Sequence, residues 1–176
     1  MAPRSLFVLD SNVLIDYCAA DRSMLTLVSR HVGIIHVPSV LLEEIGEDLD
    51  ESECERLGIV VVEPEVELLV AAGKRRPGLS YYDHVCLLAA KQNRWTCVTN
   101  DGRLRRECRS EQIPILWGLE IMFPLVADGH LTRNAARSVA RAIAAANPVF
   151  ITTEIIARFD ARVEALKIAR RPPRSR

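Results

Sequence analysis

The chain has 176 residues, 49% of them hydrophobic and 26% charged, which is the composition of an ordinary soluble globular domain. Its 23 lysines and arginines equal its 23 aspartates and glutamates, so the net charge neither favours nor excludes a polyanionic partner. Five scattered cysteines without a C-x-x-C pair argue against a disulfide framework or a zinc site, and no apolar run approaches the roughly 18 residues of a membrane span.

Strands and helices alternate in the first two thirds of the chain. Short apolar and β-branched runs predict strands at residues 6–9, 33–37, 59–62, 95–99 and 113–117. Helices are predicted at residues 13–20, 23–30, 40–57, 65–72 and 80–93, and a further helix carries Arg103, Arg105 and Arg106. This alternation is typical of βαβ units and predicts an α/β fold with a mainly parallel five-stranded sheet and helices on both faces.

After residue 118 the apolar spacing is helical only. Helices are predicted at residues 119–127 and 134–146, and a last one begins at Thr152 or Thr153 and extends to about residue 168. Arg133, Arg137 and Arg141 recur every four residues, which indicates one solvated stripe. We predict one domain at residues 1–168, with an α/β part at about 6–117, a helical extension at 119–168, and a basic disordered tail at 169–176.

Two aspartates lie at the carboxyl ends of predicted strands. Asp10 ends the first strand, and Asp101 follows the fourth in an Asn-Asp-Gly turn. Ligands of open α/β sheets bind outside the carboxyl ends of the strands, so both carboxylates are placed for chemistry. Each residue also has a structural explanation, Asp10 as a helix N-cap and Asp101 as ordinary turn chemistry. The recurrence of the same pattern on two strands favours the functional interpretation.

Two more carboxylates open predicted helices, whose starts share this edge of a parallel sheet. Asp83 lies three residues after Ser80, a spacing that resembles a capping box, although capping and catalysis are compatible. The acidic helix at 40–57 opens with Glu43 and Glu44, either of which can supply a carboxylate. Four carboxylates at one edge repel one another unless a cation neutralises them, and oxygen ligands select Mg²⁺ or Mn²⁺.

Four stretches, in this order, resemble the motifs of PIN-domain nucleases. They are VLDSNVLID with Asp10, PSVLLEEI with Glu44, GLSYYDHVCLLAA with Asp83, and VTNDGRL with Asp101. The resemblance covers about residues 6–117 and implies a PIN-like three-layer α/β/α fold. It also implies hydrolysis of RNA phosphodiester bonds with Mg²⁺ or Mn²⁺.

The resemblance implies catalytic and metal-binding roles for these four acidic residues. Asp10 and Asp101 would hold the principal ion, and Glu44 and Asp83 would complete its shell or hold a second ion. Glu44 matches the family better than Glu43, because the family places an apolar residue, here Ile45, after its glutamate. In supporting positions, Asn12 matches a small polar residue and Thr99 a hydroxyl residue before the last aspartate.

Two short basic clusters flank the acidic motifs. They consist of Lys74, Arg75 and Arg76 before Asp83, and of Arg103, Arg105 and Arg106 after Asp101. Because a carboxylate site repels a polyanion, positive charge beside it is expected where RNA binds. We therefore predict that these six residues contact RNA.

The resemblance also bears on partners. Many bacterial PIN-domain proteins are toxins of toxin–antitoxin pairs, commonly dimers that an antitoxin restrains. This implies a homodimer with an antitoxin protein as partner. The first strand follows the N-terminus without an apolar signal segment, which predicts a cytoplasmic protein with reduced thiols.

Two other functions fit parts of the sequence. A phosphatase or dehalogenase-like hydrolase also begins with an apolar strand ending in a nucleophilic aspartate, the role that Asp10 would take. Such enzymes usually have a second aspartate two positions later, where this chain has Asn12. The other alternative is a non-catalytic module of the same fold that binds RNA or protein.

Overall fold

Five short strands form one parallel sheet in the computed structural model of the chain, which describes residues 5–74 and 76–167. The strands are β1 (Ser5–Leu9), β2 (Gly33–Pro38), β3 (Val60–Val62), β4 (Thr96–Val98) and β5 (Ile115–Leu116). Every neighbouring pair is parallel, which confirms the predicted α/β fold and makes the sheet parallel throughout. In β1, Val8 and Leu9 have no exposed surface, as expected for a strand covered on both faces.

The strand order places a topological switch point beside β1. The order is β3-β2-β1-β4-β5, so the chain moves outward from β1 in one direction and later returns to continue on the other side. Between β1 and β4 the two connections therefore leave in opposite directions. The crevice outside the carboxyl ends of these two strands is where open α/β sheets bind their ligands.

Helices cover both faces of the sheet. They are α1 (Ser11–Asp21), α2 (Ser23–His31), α3 (Leu41–Ile45), α4 (Glu51–Leu57), α5 (Val66–Gly73), α6 (Tyr81–Asn93), α7 (Gly102–Ser110), α8 (Met122–Ala127), α9 (Arg133–Ala146) and α10 (Thr153–Ala165). Helix α6 lies against β1, β2 and β4 with α5 and α7 beside it, whereas α2 packs on β2 among α1, α4 and α8. The result is a three-layer α/β/α arrangement.

The predicted single helix at 40–57 is wrong. Helix α3 ends at Ile45, because Gly46 has a φ of 68°, which glycine adopts most readily, and begins a short 3-10 turn. Asp50 then starts α4 by accepting a hydrogen bond from the backbone N–H of Glu53 at 2.7 Å. Glu44 consequently belongs to a separate short helix, distinct from the acidic surface of α4.

The helical extension packs back on the α/β part. Helix α9 lies against α1, and its buried face consists of Ala136, Val139, Ala140 and Ile143. The prediction that the arginine stripe is only a solvated face is wrong. Arg133 donates to the backbone carbonyls of Val163 and Leu166 at the end of α10, and Arg137 and Arg141 pair with Asp160.

The ends of the chain bear on two further predictions. Helix α10 ends at Ala165, close to the predicted boundary, and Thr152 caps its start. The predicted basic tail at 169–176 lies outside the described residues. Over the ranges 5–74 and 76–167, no helix combines the length and apolar content needed to cross a membrane.

Gly33 is expected to be essential for the pairing of β1 with β2. A Cβ atom there would lie 2.3 Å from the backbone oxygen of Ser5 and 2.6 Å from the ring of Phe7. Gly33→Ala should therefore lower the free energy of unfolding by about 1–3 kcal/mol, measured by urea denaturation. Gly73→Ala is the control, because no atom lies within 4 Å of the added Cβ. Equal stability of the two variants would contradict this account.

Candidate active site

Asp10 lies buried at the switch point between β1 and β4. Its backbone N–H donates to the carbonyl of Val98 at 3.0 Å, and only 2% of the residue is exposed. Asp10 occupies the N-cap position of α1, but its side chain makes no capping hydrogen bond. Instead, its carboxylate accepts hydrogen bonds from the hydroxyls of Thr99 at 2.8 Å and Ser11 at 3.3 Å. Capping therefore does not explain an aspartate at this position.

Thr99 links Asp10 to Asp101. The Thr99 side chain is fully buried after β4, and its hydroxyl both donates to Asp10 and accepts from the backbone N–H of Asp101 at 3.0 Å. Asp101 is the N-cap of α7, where its Oδ1 accepts from the N–H groups of Arg103 and Leu104, each at 2.7 Å. Asp101 thus caps a helix at the same edge as Asp10, and the hydrogen bonds to its carboxylate involve Oδ1.

Ser11 links Asp10 to Glu44. Its hydroxyl donates to Glu44 and also lies within hydrogen-bond distance of Asp10. Because a hydroxyl carries one proton, Ser11 donates to one of these two carboxylates at a time. Glu44 is exposed in the first turn of α3, so its carboxylate lies at the solvent-facing side of the site. For Glu43, also exposed, the described part of the chain shows no such contact.

Asp83 stands in the predicted capping box at the start of α6. Its carboxylate accepts from the backbone N–H of Ser80 at 3.0 Å, and its own N–H donates to the Ser80 hydroxyl at 3.0 Å. The residue is half-buried. Its negative charge nevertheless acts on Asp10, so capping does not remove Asp83 from the carboxylate group.

The electrostatics of the site centre on Asp10. Burial is the largest effect and, together with the charges of Asp83 and Glu44, raises the pKa of Asp10 from 3.8 to about 7. The hydrogen bonds from Thr99 and Ser11 lower this pKa, but they do not outweigh burial and repulsion. An ionised Asp10 is therefore costly at neutral pH unless a positive charge is nearby.

The carboxylates are near one another without forming a closed ligand cage. Within the described residues, no three histidine, cysteine, aspartate or glutamate side chains are close enough to share one ion as they stand. Asp83 and Asp101 each turn an oxygen toward their own helix starts, and Glu44 turns one toward Ser11.

Arg105 corrects the predicted RNA-binding set. It is 5% exposed, its guanidinium stacks 3.7 Å above the ring of Trp117, and it donates to the carbonyl of Thr99 at 3.3 Å. The prediction that Arg105 contacts RNA is therefore wrong, because the side chain is used inside the fold. Its position supports the backbone of the loop that carries Thr99.

The other predicted basic residues differ in how much charge they present to solvent. Arg76 and Arg103 both pair with Glu107, at 2.8 and 3.1 Å. Lys74 and Arg106 are exposed and form no ion pair with the described part of the chain. Arg75 lies outside the described residues. The positive charge beside the site is thus smaller than the sequence suggested.

Some residues at the site escaped the sequence analysis. Asn12 is exposed on the first turn of α1, whereas its neighbour Ser11 makes the contacts that join Asp10 to Glu44. Asn100 is buried between Thr99 and Asp101, and its side chain bonds to Asp16 and Gly118. The only sequence signal for Asn100 was its place in an Asn-Asp-Gly turn, which suggests an exposed loop.

No protein-family model and no curated protein sequence matches this chain. The resemblance to PIN-domain nucleases stays a hypothesis that rests on four motifs and on where their residues lie in the fold.

Protonation of Asp10 should control the stability of the metal-free protein. The folded state keeps this proton up to about pH 7, whereas the unfolded chain releases it near 3.8. The free energy of unfolding should therefore fall as pH rises across this interval, with a limiting slope of about 1.4 kcal/mol per pH unit. Asp10→Asn should remove this slope and gain stability relative to the wild type above pH 7, measured by urea denaturation in chelator.

The exposed Asp128 provides the control, since Asp128→Asn should follow the wild-type curve. Parallel curves for Asp10→Asn and the wild type would show that Asp10 ionises normally in the folded protein.

Proposed function

We propose that this protein is a divalent-metal-dependent ribonuclease that hydrolyses phosphodiester bonds at the carboxyl ends of β1 and β4. The placement of three other acidic residues around Asp10 carries the proposal: the charges of Asp83 and Glu44 act on it, and Thr99 links it to Asp101. The Ser11 hydroxyl donates to Glu44 and lies 3.3 Å from the Asp10 carboxylate, and the Thr99 hydroxyl donates to Asp10 while accepting from the backbone N–H of Asp101. The match between these positions and the ordered motifs of PIN-domain nucleases supports RNA as the substrate.

The donor chemistry of the site fits Mg²⁺ or Mn²⁺. All the candidate ligands are carboxylate oxygens, which such hard cations prefer. Asp10 would hold the ion with Asp83 and Glu44, whose charges act on it, and Asp101 would add its Oδ2. Asp83 and Glu44 are accessible to solvent, so their side chains can rotate toward a shared ion. When bound, such an ion neutralises charge on a phosphate and lowers the pKa of a water molecule.

The protein's own residues would fix the geometry of the reaction. Thr99 and Ser11 hold the Asp10 carboxylate in one orientation, and α7 holds Asp101. Lys74 and Arg106 supply exposed positive charge that attracts the RNA backbone. In this proposal the buried residues orient the carboxylates, and the exposed basic residues bind RNA.

The proposal extends to partners through the same resemblance. A cytoplasmic homodimer restrained by an antitoxin protein is the arrangement that many PIN-domain toxins adopt. Val66 and Val70 lie one turn apart on α5 and are 69% and 61% exposed, so they offer apolar surface to a protein partner.

Metal binding should stabilise the fold through Asp10. Adding Mn²⁺ to the wild type should raise the thermal unfolding midpoint, and a concentration of 100 times the Kd corresponds to about 2.7 kcal/mol. Asp10→Asn should lose most of this shift, whereas Asp128→Asn should keep it. Equal shifts in all three proteins would place the ion elsewhere.

Cleavage of RNA tests the activity itself. Labelled single-stranded and structured RNAs should be cut by the wild type with Mn²⁺ or Mg²⁺ and remain intact in chelator. Asp10→Asn should cleave at least about 100-fold more slowly, because losing even an outer-shell partner of a metal costs 10–100-fold.

Two other results would redirect the assignment. Hydrolysis of a small phosphomonoester without RNA cleavage would support a phosphatase or dehalogenase-like hydrolase with Asp10 as nucleophile. RNA binding without metal binding or cleavage would support a non-catalytic module.

A further inference from the structure

We propose that Asn147, at the end of α9, acts through Asp16 and Asn100 to position the loop that carries Thr99 and Asp101. The helical extension would then be part of the support of the active site, although its residues lie far from the site in sequence. This inference rests on the proposed function, because it assigns a role in the same site.

Asp16 forms the centre of a buried polar network. It lies on α1 with 4% of its surface exposed, between two amide side chains. Asn147 donates to Oδ1 of Asp16 at 2.9 Å, and Asn100 donates to Oδ2 at 3.3 Å. The Asp16 carboxylate therefore connects the end of α9 to the loop after β4, because Oδ1 faces Asn147 and Oδ2 faces Asn100.

The network reaches the active site through Asn100. This residue stands between Thr99, which donates to Asp10, and Asp101, whose N–H donates to Thr99. Its side chain is held at both ends, since Oδ1 accepts from the N–H of Gly118 at 2.9 Å. A change in the position of Asn100 would therefore move both neighbouring site residues.

Gly118 shows how closely this region is packed. A Cβ atom on Gly118 would lie 2.9 Å from Nδ2 of Asn100 and 3.2 Å from the side chain of Val13. The carbonyl of Gly118 accepts from the hydroxyl of Tyr17 at 2.8 Å, and Tyr17 is fully buried. Helix α1 thus contacts the Asn100 loop both through Asp16 and through the backbone of Gly118.

Asn147 is fixed by its backbone before it binds Asp16. Its N–H donates to Ile143 at 2.8 Å, its carbonyl accepts from Ile151 at 3.0 Å, and its φ of −133° takes the chain out of α9. Pro148 follows, and proline disfavours helical geometry in the residue before it. The backbone of Asn147 is therefore already fixed, and its hydrogen bond to Asp16 costs little further conformational entropy of the backbone.

An apolar contact between α1 and α9 would stabilise the fold without the desolvation penalty of a buried carboxylate. Burial raises the pKa of Asp16, and the hydrogen bonds from Asn147 and Asn100 lower it. A buried carboxylate held by two neutral amides gives up hydration, so it contributes more to a defined geometry than to net stability. That geometry is the position of Asn100, which lies between two residues of the proposed site.

The test compares Asn147→Ala with Arg137→Ala. Arg137 lies on the same helix and pairs with Asp160 and Glu164, away from Asp16. Asn147→Ala should weaken Mn²⁺ binding in calorimetry and lower kcat for RNA cleavage, each by about 10-fold, with KM unchanged. Arg137→Ala should leave Mn²⁺ affinity and kcat unchanged at a temperature where circular dichroism shows all variants folded.

A double variant shows whether Asn147 acts through Asn100. Because the two would lie on one connected network, Asn147→Ala with Asn100→Ala should lose no more Mn²⁺ affinity than Asn100→Ala alone. Hydrogen exchange supplies a readout that does not need activity, and the amides of residues 99–104 should exchange faster in Asn147→Ala than in Arg137→Ala.

The outcomes separate the two proposals. A wild type that binds Mn²⁺ and cleaves RNA, with an Asn147→Ala variant that matches it, would overturn the positioning role alone. Additive losses in the double variant would overturn it as well. A wild type that neither binds Mn²⁺ nor cleaves RNA would overturn the proposed function and this inference together.

Discussion

The hydrogen bond from Thr99 to Asp10 joins the two halves of the sheet at the point where the strand order reverses. A carboxylate buried there needs a donor, and β4 delivers the Thr99 hydroxyl at 2.8 Å only when it pairs with β1 in the observed register. The same hydroxyl accepts the N–H of Asp101, so the start of α7 depends on it too. The register of β4 against β1 therefore also determines how Asp10, Thr99 and Asp101 lie relative to one another.

The polar groups around this hydrogen bond include some that stabilise one another and some that repel one another. Arg105 holds the carbonyl of Thr99, and Asp16 holds the side chain of Asn100, so the loop is fixed from two sides. Burial, and then the charges of Asp83 and Glu44, raise the pKa of Asp10 and so make its ionisation unfavourable. The proposed cation site rests on this combination of a carboxylate fixed by packing and opposed by like charges.

The sequence predicted the sheet and the edge that holds the carboxylates, because short apolar strands followed by aspartates are local patterns. It could not predict features set by distant partners. Arg105 is buried because Trp117 offers a ring for its guanidinium, and Asp16 meets Asn147 from 131 positions away. The helix at 40–57 was overextended because acidic residues fit a helix equally well on either side of Gly46, whose positive φ ends it.

The distribution of charge makes RNA binding by the proposed enzyme depend on its cation. Of the predicted basic residues that the structure describes, Arg105 is buried and Arg76 and Arg103 share their charge with Glu107. Lys74 and Arg106 are exposed, and within the described residues they form no ion pair. If only these two residues contacted phosphates, the affinity of the proposed enzyme for RNA would depend only weakly on salt. Selectivity of the proposed enzyme would then come from the geometry of the loop at residues 99–101, which the network around Asn100 is proposed to hold.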